Sequence, residues 1–121
     1  MHAMARRKRQ ADVTVDIQPN DVDRKRIERA ITGRVRYRYV TPTVIAVDDG
    51  YRIESPCCSR NIDKAGGRID IAWLEYLPPR RGWRLYRKDH TAQQWVYYDE
   101  FATLKLLLEE LNQDTERLFW Q

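Results

Sequence analysis

The sequence is poor in the residues that most often carry chemistry or cross-links: its 121 residues include two cysteines and two histidines. Two cysteines make no disulfide framework, which points to a reducing cytoplasm. No strictly apolar run exceeds four residues, the longest being Val44–Val47, Ile71–Leu74 and Trp95–Tyr98. A bilayer span needs about 20 such residues, so neither a transmembrane helix nor a secretory leader is expected. The patterns G-x-x-x-x-G-K-[ST] and G-x-G-x-x-G do not occur, so Gly66-Gly67 is no phosphate loop. C-x-x-C spacing is also missing, and with it the usual signature of a zinc site. No cofactor and no metal is expected.

What is present describes a charge-rich folded protein. Hydrophobic residues make up 42% and charged residues 33%, a balance that a disordered chain does not have. A single domain of this length buries roughly two-thirds of its unfolded surface. The net charge of +4 is unevenly placed. Residues 1–40 hold 11 basic and 5 acidic side chains, and the remainder holds 11 and 13. Two basic clusters stand out: the run Arg6, Arg7, Lys8 and Arg9, and the alternation Arg34, Arg36 and Arg38 with Val35, Tyr37 and Tyr39.

Residues 1–19 read as a basic, flexible arm ahead of a domain at 20–121. Met1-His2-Ala3 could be an appended leader before a natural start at Met4, and residues 1–4 stay outside the fold argument. Val13, Val15 and Ile17 alternate with polar residues, so a short edge strand is possible there. Asn20 precedes Asp21 and Asp23, an N-cap followed by acids where the helix dipole favours them. Ile27, Ala30 and Ile31 supply a narrow apolar stripe and Gly33 a C′ glycine, so a short helix is expected over 21–32.

Residues 34–40 alternate with period two, which predicts a strand with arginines on one face and Val35, Tyr37 and Tyr39 on the other. Pro42 interrupts it and Thr43–Val47 resumes. Asp49-Gly50 suits a two-residue hairpin turn, with Tyr51–Glu54 returning. Residues 55–68, including Cys57 and Cys58, show no period and read as an unusually long loop. Strands at 69–74, 83–88 and 95–98 form a meander. Asp99 is the expected cap of a helix carrying Phe101, Leu104, Leu107, Leu108 and Leu111. Leu118, Phe119 and Trp120 are expected to dock on the sheet. The order predicts an α+β domain: an antiparallel sheet of about five strands, an N-terminal helix and a leucine-rich C-terminal helix packed on the sheet.

From residue 69 the pattern Ile69-x-Ile-Ala-Trp-Leu-x-Tyr, Trp83-x-Leu85-Tyr86, Trp95, the leucine helix and Asp114-x-x-x-x-Phe119-Trp120 resembles a family of small bacterial proteins catalogued as a domain of unknown function. The resemblance covers residues 69–121. Its motifs are tryptophans and leucines, which imply a shared fold with these residues in the core. It implies no activity, cofactor or substrate.

The candidates for chemistry are few. Cys57 and Cys58 are adjacent; a disulfide between neighbours is strained, because consecutive Cα atoms lie closer than the usual bridge allows. A thiol enzyme would pair one of them with His90. The bland alternative is two half-buried thiols and a solvated histidine in a hairpin loop. Asp70 and Glu75, an odd number of positions apart on one strand, are expected on opposite faces and so do not converge.

The basic clusters are the stronger lead. Arginines on alternate strand positions stand about 6.6–7 Å apart, close to the phosphate repeat of a nucleic-acid strand. Arg6, Arg7, Lys8 and Arg9 would add attraction for polyanions without sequence preference. The leading expectation is therefore a binding or regulatory module that contacts nucleic acid through Arg6–Arg9, Arg34, Arg36 and Arg38. The alternative is a protein-interaction or homodimerising module that uses an aromatic sheet face including Tyr76, Tyr86 and Tyr98. A thiol-dependent enzyme using Cys57, Cys58 and His90 comes third.

Overall fold

A computed structural model describes residues 17–56 and 67–120. The expectations for Arg6, Arg7, Lys8 and Arg9, for the edge strand near Val13, and for Cys57 and Cys58 fall outside the described residues.

Helix α1 spans Asp21–Ala30 and is followed by one 3₁₀ turn, Ile31–Gly33. Asn20 caps it, its side-chain oxygen accepting from the Asp23 amide at 2.7 Å. Such a cap contributes about 1 kcal/mol. Gly33 does not take the left-handed conformation expected of a C′ glycine; the helix tightens into the 3₁₀ turn instead.

Five strands follow: β1 Thr43–Val47, β2 Gly50–Pro56, β3 Arg68–Leu77, β4 Gly82–Asp89 and β5 Gln94–Phe101. They form one antiparallel sheet in sequential order. Helix α2, Leu104–Gln113, closes the fold. This is the expected α+β domain with a helix at each end of the sheet's sequence. No helix among the described residues is long and apolar enough to cross a membrane.

Both helices lie on one face, called inner here. Ile27 and Ile31 from the α1 region and Leu104, Leu107, Leu108 and Leu111 from α2 join a single core with Val44, Tyr51, Ile53, Leu74, Tyr76, Trp83 and Leu85. Phe119 and Trp120 dock into the same core, as their apolar character predicted. The segment entering α1 is tied to β2 by a polar cluster. The Tyr51 hydroxyl donates to Gln18 Oε1 at 2.5 Å and accepts from the Asn20 amide at 2.9 Å. Burial pushes the Tyr51 phenol above its ordinary pKa.

Several local expectations are corrected. Residues 34–42 form no strand, and Tyr37 has a φ of 55°, which breaks any ladder. The β1–β2 turn is Asp48-Asp49, because Val47 pairs with Gly50 and the positive φ of 63° falls on Asp49. Gly50 belongs to the strand for a different reason: a Cβ there would lie 1.9 Å from the Leu74 carbonyl oxygen. The cap of α2 is Thr103, whose hydroxyl accepts from the Leu106 amide, while Asp99 and Phe101 belong to β5.

Two irregularities change which side chains share a face. Ile53 pairs with Ala72 and Glu54 with Asp70, leaving Ile71 as an extra residue in β3. Leu85 pairs with Asp99 and Tyr86 with Tyr97, leaving Tyr98 as an extra residue in β5. Each bulge inverts the alternation beyond it.

Candidate binding face of the sheet

The bulge at Ile71 turns Trp73 away from the core. Trp73 pairs across the ladder with Arg52 and Tyr86, and its neighbour Leu74 points into the core beside Tyr51 and Leu85. On the outer face the Trp73 and Tyr86 rings stack with centroids 4.3 Å apart and planes at 21°. Trp95 lies 6.1 Å from Trp73, tilted by 56°. Tyr97 meets Tyr86 edge-on at 6.2 Å. Trp73, Tyr86 and Trp95 are half-buried, and Tyr97 is 53% exposed. Four rings therefore form one continuous patch on the side without helices.

The two indoles border a shallow slot of about 310 Å³, completed by Val47, Asp48 and Arg52. The Lys88 ammonium sits 4.8 Å from the centre of the Trp95 ring. Asp70 Oδ2 accepts from it at 3.1 Å, and Asp70 Oδ1 accepts from Arg52 at 3.0 Å. Arg52 also meets Glu54 at 3.1 Å, and Glu54 meets Arg68 at 3.2 Å. At the other end Glu75 accepts from the Tyr86 hydroxyl at 2.7 Å. Burial and then this bond to Glu75 raise the Tyr86 phenol above its ordinary value. Arg84 lies 3.7 Å from Glu100 and 4.0 Å from Glu75. Arg80 grips Glu100 at 2.7 Å and holds its carboxyl below the usual range. Arg52, Arg68, Arg80, Arg84 and Lys88 are thus all paired with carboxylates.

Asp70 and Glu75 were expected on opposite faces. The bulge puts both on the outer face, but on either side of Trp73 and each with its own partners, so they form no acid–base pair. Of Tyr76, Tyr86 and Tyr98, expected together on one aromatic face, the structure places one on the open face. Tyr86 lies on the outer face, whereas Tyr76 is buried in the core. Tyr98 bonds Glu110 and packs against Phe119 on the inner side. Trp83 and Trp120 are core residues, but Trp73 and Trp95 are not.

The arginine row is dismantled. Arg34 is buried, donating to the carbonyls of Ile31, Tyr37 and Val40. Its pKa is lowered by burial and by Arg38. Arg36 donates to the carbonyls of Gln113 and Asp114. Only Arg38 of the three is exposed. The physical reason is that the turn and loop after α1 and the end of α2 present carbonyls that need donors, and a guanidinium supplies several at once.

His90 lies in the β4–β5 hairpin. Burial, and then Lys88, lower its imidazole pKa. No group of three or more potential metal ligands occurs among the described residues. Neither the slot nor the tryptophan pair was singled out from sequence. The available signal was the alternation of Trp95 with Tyr97 and of Tyr86 with Lys88; the bulge that aligns Trp73 with them leaves no mark in the sequence.

Fold and face together define an α+β domain with one sheet face packed under helices and the other left open, aromatic and laced with ion pairs. The chain belongs to the family described as "Domain of unknown function (DUF3024)", which matches residues 15–121. The family thus includes α1 as well as the segment from residue 69 that carried the resemblance. No curated protein and no solved structure matches the chain.

Proposed function

We propose that this domain is a polypeptide-binding module whose recognition surface is the outer face of the sheet. The observation that carries the reading is the Trp73–Trp95 slot within a four-ring patch. Exposed aromatic rings cost little conformational entropy to order and are enriched at the centres of protein interfaces. The slot is at the small end of ligand pockets, suited to one apolar or ring-bearing side chain of an extended segment. The Asp48 and Arg52 side chains at its border offer an acceptor and a donor for the segment's backbone.

Charge decides between a polypeptide and a nucleic acid at this face. A phosphodiester strand needs cations with spare charge, because release of its counterions supplies most of the affinity. Here Arg52, Arg68, Arg80, Arg84 and Lys88 are each already paired with a carboxylate, and a phosphate row would approach Glu54, Asp70, Glu75 and Glu100. A neutral segment pays no such penalty.

The test is selection of a displayed random-peptide library on the full chain, followed by affinity measurements on Trp73→Ala and Trp95→Ala. Selected peptides should bind at least roughly 30-fold more weakly to Trp95→Ala. Equal binding to both variants and the wild type would place recognition elsewhere. A concentration-dependent dimer that Trp95→Ala abolishes would make a second copy of the chain the occupant.

A further inference from the structure

We propose that the exposed face of α1 is a second binding site, one that takes the sugar–phosphate backbone of a nucleic acid without reading its bases. This surface shares no residue with the sheet face. Val22, Lys25, Arg26, Arg29 and Ala30 line an open cavity of about 530 Å³. Their three- and four-residue spacing places them on one side of the helix. The core side of the same helix is carried by Asp23 and Ile27, which are buried.

The deciding feature is which cations have spare charge. Helix α1 has three carboxylates, and all are engaged. Asp21 and Glu28 both meet Arg24, at 3.5 and 2.9 Å. Asp23, fully buried, meets Arg26 at 3.1 Å and accepts from Gln18 and Asn20. Lys25 and Arg29 are left exposed, with no acidic partner among the described residues. They stand four residues apart, so two like charges face each other across one helical turn, an arrangement that destabilises a helix. Arg29 gains from the helix's negative end, but Lys25 sits mid-helix and does not. A bound anion relieves both at once.

The face is linear, not convergent. Arg26 and Arg29 follow Lys25 along the helix, which suits a repeating row of phosphates better than a single phosphate fork. Its apolar ends, Val22 and Ala30, offer nothing to base edges. The cationic run Arg6-Arg7-Lys8-Arg9 precedes this helix in the chain, and Arg34, Arg36 and Arg38 follow it. Arg52, Arg68, Arg80, Arg84 and Lys88 on the outer sheet face contrast with Lys25 and Arg29 because each is paired with a carboxylate.

The experiment is fluorescence anisotropy of the full chain with labelled single- and double-stranded oligonucleotides, across roughly 50–200 mM salt. It compares wild type, Lys25→Ala/Arg29→Ala, Lys25→Gln/Arg29→Gln and Trp95→Ala, each checked for a cooperative thermal melt that shows it folded at the assay temperature. The wild type should bind both forms, with affinity falling steeply as salt rises. On duplex DNA both double variants should lose about 1.8 from the log–log salt slope, roughly 0.9 per phosphate contact. Trp95→Ala should match the wild type, which separates this site from the sheet face. No binding at 50 mM salt, or a slope unchanged in the double variants, overturns the proposal. So does a double-variant defect seen only on vesicles containing phosphatidylserine, which would assign the face to a membrane surface.

Discussion

The Arg34 guanidinium carbon lies 5.0 Å from the centre of the Trp120 ring, so the turn after α1 is joined to the last described residue of the chain. The same guanidinium satisfies carbonyls of Ile31, Tyr37 and Val40. It holds the loop that the alternation of Arg34–Val40 disguises as a strand. Arg34→Ala removes these donors, strands the carbonyls and uncovers the indole. The expected loss, read by urea denaturation, is about 2–4 kcal/mol. Arg36→Ala, which frees only partly exposed carbonyls, should cost about 1 kcal/mol or less.

The other end of that clasp is Asp114. Its carboxylate accepts from the amides of Leu118, Phe119 and Trp120, the last at 2.7 Å. The carboxylate thereby folds the chain back after α2 and sets Trp120 in the core, where the indole N–H donates to the Leu111 carbonyl at 3.0 Å. Asp114→Ala should destabilise the domain by about 2–4 kcal/mol and raise acrylamide quenching of tryptophan fluorescence. Asp114→Asn keeps an acceptor oxygen and should recover part of the loss.

Tyr98 predicts the alkaline behaviour. Its phenol donates to Glu110 at 2.6 Å, and that bond, with burial second, pushes its pKa up to about 12. The unfolded chain releases this proton near pH 10, while the folded chain keeps it. The unfolded state then binds fewer protons, so stability falls as pH rises from about 10 to 12. Below about pH 10 the contribution is fully present and stability does not change with pH through this group. Tyr98→Phe should therefore show a shallower decline in stability over pH 10–12, measured by denaturant midpoints. An unchanged decline would assign it to Tyr51 and Tyr86, whose phenols are also raised.

Much of the architecture was legible because it rests on local signals. Asn20 with Asp21 and Asp23 marks α1, and the spacing of Leu104, Leu107, Leu108 and Leu111 marks α2. The meander shows in the apolar runs between turns. The errors arose where a tertiary partner overrides the local pattern. Arg34, Arg36 and Arg38 alternate as in a strand, but the carbonyls that claim Arg34 and Arg36 come from the turn after α1, the following loop and the end of α2. Asp99 has cap chemistry, yet β5 runs on to Phe101 because Trp83 offers it a partner. The candidate face was the least legible part. It depends on one unpaired residue at Ile71, which moves Asp70 to the side of Trp73 and Glu75. Period-two counting along β3 cannot reveal such an inversion.

The slot between Trp73 and Trp95 is the proposed seat of a bound peptide. That placement is tested most directly by the four tryptophan indole N–H resonances in a heteronuclear NMR titration with a peptide selected on the wild-type chain. The Trp73 and Trp95 signals should move on titration, while those of Trp83 and Trp120, buried on the inner face, stay in place. Movement confined to Trp83 or Trp120, or to residues of α1 alone, would contradict it.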